Sequence, residues 1–162
     1  MLIPTAGIDE SNGDGYFILW PKDPQDSANK ARAFIKNKFN LSEVGVLIVD
    51  SKTSPLRWGT TGCGIAFSGF LPLKNYIGKK DIFERELKIT KANIVDALSA
   101  AATLVMGEGN EQTPISIIED LPFVQFKNED PTIQELSELK IDPGEDIYSV
   151  FFKEIDWQKG KS

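Results

Sequence analysis

The chain has 162 residues, of which 41% are hydrophobic and 26% charged, a composition typical of one folded domain with a buried core. Its net charge of −6 argues against non-specific nucleic-acid binding, and its apolar runs are too short to cross a membrane. The absence of histidine excludes Ser-His-Asp and Cys-His catalysis, so we expect any metal to be bound by oxygen. The single cysteine, Cys63, excludes an intramolecular disulfide, which is typical of a cytoplasmic protein.

Strands and a helix are predicted for the first half of the chain. Tyr16–Trp20 is a short aromatic run that predicts a strand, and Pro24 opens a helix that continues to about Phe39. Val44–Val49 is a continuous apolar run, as in a strand covered on both faces. The glycines of the predicted strand Thr60–Ser68 indicate bulges or a close approach of another backbone. The 3–4 spacing of the helix predicts one buried stripe, formed by Ala28, Ala31, Phe34, Ile35 and Phe39.

The clearest helix lies in the middle of the chain. A brief strand, Glu86–Thr90, is predicted to lead into it, with Thr90 as the N-cap residue and Gly107 as the terminator. Spacing at three and four residues predicts that its buried face consists of Ile94, Ala97, Leu98, Ala101, Leu104 and Val105.

Shorter elements follow in the acidic last third of the chain. Ile115–Ile118 and Phe123–Phe126 are predicted strands, Thr132–Leu139 is a weak helix, and Ile147–Phe152 is a final strand or docking segment. Together the elements predict an α+β fold, a single mixed domain with a central β-sheet and two main helices.

Acidic residues stand where predicted elements end. Asp9 lies in a turn near the start of the chain, Asp50 closes a strand beside Ser51, and Glu108 follows a helix. Oxygen ligands from separate elements are typical of a magnesium or manganese site that bridges nucleotide phosphates. The alternative is an ordinary surface carboxylate at each position, because the chain has 24 acids and spacing alone does not decide between the two.

Other candidate groups are weaker. Gly13–Gly15 and Gly62–Gly64 match neither a P-loop nor a dinucleotide fingerprint, so tight turns or a bulged strand explain them. Arg57 and Arg85 are candidates for binding a carboxylate or phosphate, with solvation as the alternative. Cys63 is expected to be buried and inert, since no histidine is present to activate it.

Four sequence blocks, taken in order, resemble one family. They are AGIDESN, GVLIVDS, PLRWGTTGCGIAFSG and the long segment that begins LPLKNYIG and ends MGEGNEQTPI. The blocks are similar to those of the coenzyme F-420-0 (deazaflavin) γ-glutamyl ligases and of relatives assigned to folate metabolism, over roughly residues 2–120. The resemblance implies an intertwined homodimer. It also implies a metal- and nucleotide-binding domain at 1–120, without the family's N-terminal segment, and an acidic extension at 121–162 that packs on the same domain.

The resemblance also implies a role for individual residues. Asp9, Asp50 and Glu108 match metal-binding acids of the family, and Ser51 stands where a threonine usually provides a further metal contact. Asn12 matches an asparagine that touches the guanine nucleotide. The chain departs from the family's pattern at two positions, Gly62, where aspartate is common, and Glu84, where glycine is usual. The loop that lies along the nucleotide corresponds to Met106, Gly107, Glu108, Gly109, Asn110, Glu111, Gln112 and Thr113.

The implied activity is that of a metal- and nucleotide-dependent ligase. With magnesium or manganese and GTP or ATP, it would join L-glutamate to a deazaflavin or folate carboxylate through an acyl phosphate, with Arg57 and Arg85 holding carboxylates. No nucleic-acid or membrane partner is expected. The alternative is a non-catalytic binding or dimerisation fragment of such a ligase, inactive without the N-terminal segment. A generic α+β protein with scattered surface acids is a third interpretation.

Overall fold

The computed structural model of the chain describes residues 8–152, 154 and 155, so Ala6 and Gly7 of the AGIDESN block lie outside the described residues. Helices and small antiparallel sheets together confirm the mixed α+β class. The described part of the chain contains no helix that is both long and apolar enough to cross a membrane.

Within the described residues, the strands form two antiparallel pairs. β1 (Val46–Thr53) pairs with β2 (Thr60–Ser68), and β3 (Leu73–Asn75) pairs with β4 (Lys91–Asn93). The register of the longer pair shifts between Ile48 and Val49, which is the irregularity that the glycines of β2 predict. β1 begins two residues later than predicted and is only half-buried, because α1 and α2 do not cover all of it.

Helix α1 (Pro24–Phe39) has the predicted bounds. It begins after Asp23, whose side chain accepts a hydrogen bond from the backbone of the first turn. The predicted stripe is only partly correct, because Ala28 is buried whereas Phe34 and Phe39 are 63% and 62% exposed. The buried residues of this helix are therefore Ala28 and Arg32 rather than its aromatic residues.

A buried arginine on α1 holds the segment that follows residue 126. The guanidinium of Arg32 donates to the carbonyl oxygens of Lys127 at 3.3 Å and of Asn128 at 2.9 Å. The same group forms an ion pair with Asp130 at 3.0 Å. Five N–H donors in a planar fork allow one side chain to satisfy several acceptors at once. Periodicity could not find this contact, because the rule for buried stripes considers only apolar residues.

Helix α2 (Ile94–Met106) packs on β2 and ends at Gly107, as predicted. Its N-cap residue is Asn93 rather than Thr90, because the preceding residues form β4. The predicted buried face is rotated: Leu104 and Val105 are 84% and 68% exposed. The buried face includes two polar residues and consists of Ile94, Val95, Leu98, Ser99, Ala102 and Thr103.

The hydrophobic core lies between α2 and the end of β2. Its buried members are Phe67, Phe70, Ile94, Val95 and Leu98. The rings of Phe67 and Phe70 are 5.6 Å apart in a tilted arrangement, which is a favourable geometry for aromatic pairs. Partly buried residues of the last third, among them Leu121 and Leu136, pack against this core.

Several short strand predictions are wrong. Of Tyr16–Trp20, only Ile18 forms a bridge, and of Phe123–Phe126 only Phe126 does. Ile115–Ile118 has no strand structure, and Ile147–Phe152 ends in the short helix α4 (Ser149–Phe152). The strand predicted at Glu86–Thr90 begins instead at Lys91. A short apolar run does not specify a partner strand, and without one the run packs as irregular structure.

Helix α3 (Ile133–Glu138) confirms the weak helix predicted around Thr132–Leu139. Thr132 and Glu135 form a capping box, in which each side chain accepts a hydrogen bond from the other's backbone N–H. The Lys127 ammonium also hydrogen-bonds the Glu135 carboxylate. This ammonium, followed by the Thr132 contacts, lowers the pKa of Glu135.

A lowered pKa makes Glu135 a pH-dependent source of stability. Ionised Glu135 stabilises the fold above its ordinary pKa of 4.5, and this stability is lost as the pH falls through the lower folded-state value. We expect Glu135→Gln to reduce the free energy of unfolding by about 1 kcal/mol at pH 7. The difference from wild type should shrink in urea titrations below pH 4.5. Glu138→Gln on the same helix is the control; an equal loss at every pH would contradict the prediction.

Candidate functional site

The end of α2 reaches β1 through one hydrogen bond. Ser51 lies in β1, and its hydroxyl Oγ donates to Oε1 of Glu108 at 2.6 Å. Glu108 follows Gly107, the residue at which α2 ends. Unpaired carbonyls and the negative end of a helix dipole favour a cation at this position. The structure thus joins two of the predicted metal ligands across 57 residues of chain.

The carboxylate of Asp50, the residue before Ser51, is held by two N–H donors. Its Oδ1 accepts from the backbone N–H of Ser51 at 2.8 Å. Its Oδ2 accepts from Nε1 of Trp20 at 2.7 Å. Trp20 was missed as a site residue, because a tryptophan within a short aromatic run gives no sequence signal beyond a strand. Each oxygen of Asp50 keeps further lone pairs for another partner.

Asp9 begins a loop that is closed by a backbone bridge to Ile18. Two backbone hydrogen bonds of 3.1 and 2.7 Å join these residues. Oδ1 of Asp9 accepts from the backbone N–H groups of Glu10 at 2.7 Å and Ser11 at 2.9 Å. The Ser11 backbone and side-chain hydrogen bonds, followed by that of Glu10, lower the pKa of Asp9, which keeps the carboxylate ionised.

The same loop contacts the residues that follow α2. Nδ2 of Asn12 donates to the carbonyl oxygen of Gly109 at 2.9 Å. The segment around Gly109 is closed on itself, because Thr113 Oγ1 donates to the carbonyl oxygen of Met106 at 2.5 Å. Glu111 accepts from the backbone N–H of Gly109 at 2.8 Å. Asn12 and the predicted nucleotide loop therefore lie side by side.

The oxygen donors fit a hard divalent cation. Carboxylates and a hydroxyl are the ligands that magnesium and manganese prefer. However, within residues 8–152 and 154–155, no three Asp, Glu or Cys side chains are grouped closely enough to hold a metal ion. Asp9, Asp50 and Glu108 thus do not form one carboxylate cluster. An ion bound by Asp50, Ser51 and Glu108 would therefore take part of its coordination from a ligand such as phosphate.

The two candidate arginines lie in exposed turns. Arg57 is exposed in the turn between β1 and β2. The guanidinium of Arg85 donates to Asp81 at 3.2 Å and lies 5.6 Å from the ring of Phe83. Glu84, where the family usually has glycine, has a φ of 64°, the left-handed conformation that favours glycine.

Cys63 is fully buried in β2, as expected. Burial raises the pKa of its thiol, so that the unreactive protonated form is favoured. Cys63 lies opposite Asp50 in the strand register, with its side chain within the fold. It contributes packing beneath the site.

Glycines in β2 allow α2 to approach the site closely. A Cβ atom at Gly62 would lie 2.3 Å from both the Ser99 carbonyl oxygen and Thr103 Oγ1. Gly62 is also the register partner of Ser51. At this position, where the resemblance implies a departure from the family's pattern, α2 therefore leaves no room for a side chain.

The sequence resembles known proteins over most of its length. The family profile described as F420-0:Gamma-glutamyl ligase matches residues 1–120. A coenzyme F420:L-glutamate ligase of Methanocaldococcus jannaschii is 42% identical over 78% of this chain and 51% of its own length. Proteins of the same name from Methanopyrus kandleri and Archaeoglobus fulgidus are 41% and 39% identical over 75% and 72% of the chain, and over 48% and 47% of their own lengths. The chain spans about half the length of these curated relatives.

Close packing at Gly62 predicts a strong effect of a single methyl group. Gly62→Ala would push α2 away from β2, and we expect a loss of about 2 kcal/mol in the free energy of unfolding, measured in urea. The control is Gly109→Ala, whose Cβ would have its nearest neighbour at 3.4 Å and should change stability little. Equal stabilities of the two variants would show that α2 does not pack as described.

Proposed function

Because the chain belongs to the F420-0:gamma-glutamyl ligase family, we propose that it carries the metal- and nucleotide-binding part of a ligase that joins L-glutamate to a carboxylate acceptor. The names of the relatives support a deazaflavin of the coenzyme F420 type as the acceptor, in preference to a folate. The observation that carries the proposal is the hydrogen bond from Ser51 to Glu108, which joins two candidate metal ligands beside Asp50.

The residues at the meeting point of β1 and α2 would hold the metal ion. Asp50, Ser51 and Glu108 supply hard oxygen ligands from two elements, and Asp9 is the candidate for a further carboxylate on the neighbouring loop. A bound magnesium or manganese ion would neutralise negative charge on the nucleotide's phosphates. The phosphates in turn would supply the oxygen ligands that the described residues do not gather in one group.

The nucleotide would lie along the loop between Met106 and Thr113. This loop is closed by its own hydrogen bonds, from Gly109 to Glu111 and from Thr113 to Met106. Asn12, which is anchored to the loop through Gly109, is the candidate for contact with the guanine nucleotide. GTP is the first candidate and ATP the second.

The reaction would proceed in two displacements. An oxygen of the acceptor carboxylate attacks the γ-phosphorus, the bond to the β-phosphate oxygen breaks, and an acyl phosphate and a nucleoside diphosphate form. The amine of L-glutamate then attacks the acyl carbon, phosphate leaves with the bonding electrons, and the amine proton passes to a carboxylate or to the phosphate. Arg57 and Arg85 are the candidates for holding the substrates' carboxylates, because their exposed guanidiniums lie in the turns beside β2 and before β4.

Removing the carboxylate of Asp50 tests this assignment. We expect Asp50→Ala to weaken magnesium-dependent GTP binding at least tenfold in calorimetric titrations, because the ion loses a ligand between protein and phosphate. The exposed acid Glu119 gives a matched control, since Glu119→Ala removes the same charge elsewhere. Unchanged binding by Asp50→Ala, or a wild-type affinity that does not depend on magnesium, would reject the proposed site.

We further propose that the chain forms a homodimer through the outer face of α2. This face carries apolar side chains with no cover in the described chain, and large exposed apolar surfaces are typical of interfaces. Leu104 and Val105 are 84% and 68% exposed, and the exposed residues Ala97 and Ala101 lie on the turns before them.

A charge in this face should disrupt the dimer. We expect Leu104→Glu to raise the dimer dissociation constant at least tenfold in sedimentation equilibrium, because the new carboxylate would be buried without a partner. Ile133→Glu on α3 is the control, since it adds a charge at another exposed isoleucine. A wild-type chain that stays monomeric, or a Leu104→Glu variant that still forms the dimer, would reject the interface.

A further inference from the structure

We propose that Trp20 is a positioning residue of the metal site, where its indole N–H fixes the carboxylate of Asp50 for metal binding. The inference rests on the proposed function, but Trp20 itself would not touch the ion. Nε1 of Trp20 lies 2.7 Å from Oδ2 of Asp50, a distance typical of a charge-assisted hydrogen bond. Both side chains are half-buried, which strengthens the bond relative to one in open solvent.

The indole N–H of Trp20 restricts the orientation of the Asp50 carboxylate. An indole N–H only donates, so it occupies one lone pair of Oδ2. The backbone N–H of Ser51 occupies one lone pair of Oδ1 in the same manner. With both oxygens fixed, the carboxylate keeps one orientation, and its remaining lone pairs are available to an ion. Partners that orient a metal ligand in this way typically change metal affinity 10–100-fold when they are removed.

Trp20 also links Asp50 to the loop that carries Asp9. The loop is closed by the bridge between Asp9 and Ile18, and Trp20 follows this bridge by two residues. The hydrogen bond from Trp20 thus anchors one end of the loop to β1, whereas Asn12 anchors its tip to Gly109. Trp20 would therefore set the orientation of Asp50 and also the position of Asp9 relative to Asp50.

The hydrogen bond has a direct spectroscopic signature. In a ¹⁵N-labelled chain, the indole signal of Trp20 is identified by its absence in Trp20→Phe. We expect this signal to lie downfield of that of Trp58, which is fully exposed, and to move upfield in Asp50→Ala. Adding manganese together with GTP to the wild-type chain should broaden the Trp20 signal. A Trp20 signal that does not respond to Asp50→Ala would overturn the inference, whatever the metal affinity.

Metal affinity provides the second measurement. We expect Trp20→Phe to weaken the manganese-dependent binding of GTP about tenfold in calorimetric titrations, because phenylalanine preserves an aromatic ring but has no donor. The matched control is Trp58→Phe, which makes the same change at an exposed tryptophan in the turn after β1 and should bind like wild type.

The outcomes separate this inference from the proposed function. If the wild-type chain and Trp20→Phe bind GTP equally well in the presence of manganese, the positioning role is wrong and the metal site stands. If the wild-type chain shows no manganese-dependent binding of GTP, the proposed site fails and the positioning role with it. If Trp20→Phe does not fold, two results decide the inference. The Trp20 indole signal must move in Asp50→Ala, and in the wild-type chain it must broaden when manganese and GTP are added.

Discussion

The close packing of α2 on the glycine-bearing part of β2 is the constraint on which the rest of the structure depends. At Gly62 and Gly64, an added Cβ would lie within 2.3 Å of α2 atoms, so the helix rests directly on the strand backbone. This contact sets the distance between the axis of α2 and the sheet. Since Glu108 follows the end of α2 and Ser51 faces Gly62 in the register, the same contact determines whether Glu108 and Ser51 can meet. Core packing and site geometry thus have a common physical origin.

Helix α1 packs on the β1–β2 pair, and the segment after residue 120 pairs with the residues that follow β2. Here polar contacts replace the continuous apolar stripe that the sequence predicts. Gln25 donates to the carbonyl oxygen of Phe67 at 2.7 Å, and buried Arg32 binds the backbone of residues 127 and 128. Carbonyl groups of irregular segments need such donors, because no neighbouring strand supplies them. The last third of the described chain is held by directional bonds as well as by apolar burial.

The sequence predicts the elements whose signals are local. The bounds of α1 and β2 follow from cap residues, apolar spacing and glycines, and the end of α2 follows from Gly107. The pairing of strands depends on residues far apart in the sequence, and the strands predicted at Ile115–Ile118 and Phe123–Phe126 therefore do not form. The observed buried face of α2 differs from the predicted one for a similar reason. Ser99 and Thr103 are buried because each hydroxyl donates a hydrogen bond to a carbonyl oxygen of its own helix. A prediction based on apolar residues alone does not include such polar positions.

For the site, sequence resemblance and structure supply different information. The resemblance assigns roles to Asp9, Asp50 and Glu108, but it does not say what holds these acids in place, and their roles stay predictions. The structure adds the donors, among them Trp20, whose partner is 30 residues away in the chain. The bonds from Ser51 and Asn12 span 57 and 97 residues.

Contacts of such long range have a thermodynamic consequence. Each of these contacts closes a long loop of the chain, which lowers the conformational entropy of that loop. Formation of the core between the two ends of the loop offsets this cost. The candidate ligands are therefore brought together by the folded state and are dispersed in the unfolded chain. An ion or nucleotide that binds this arrangement, and not the unfolded chain, must shift the folding equilibrium towards the native state. Binding at the site and the packing of α2 on β2 are thereby linked. A change that loosens the packing of α2 on β2 should also lower the affinity of the site.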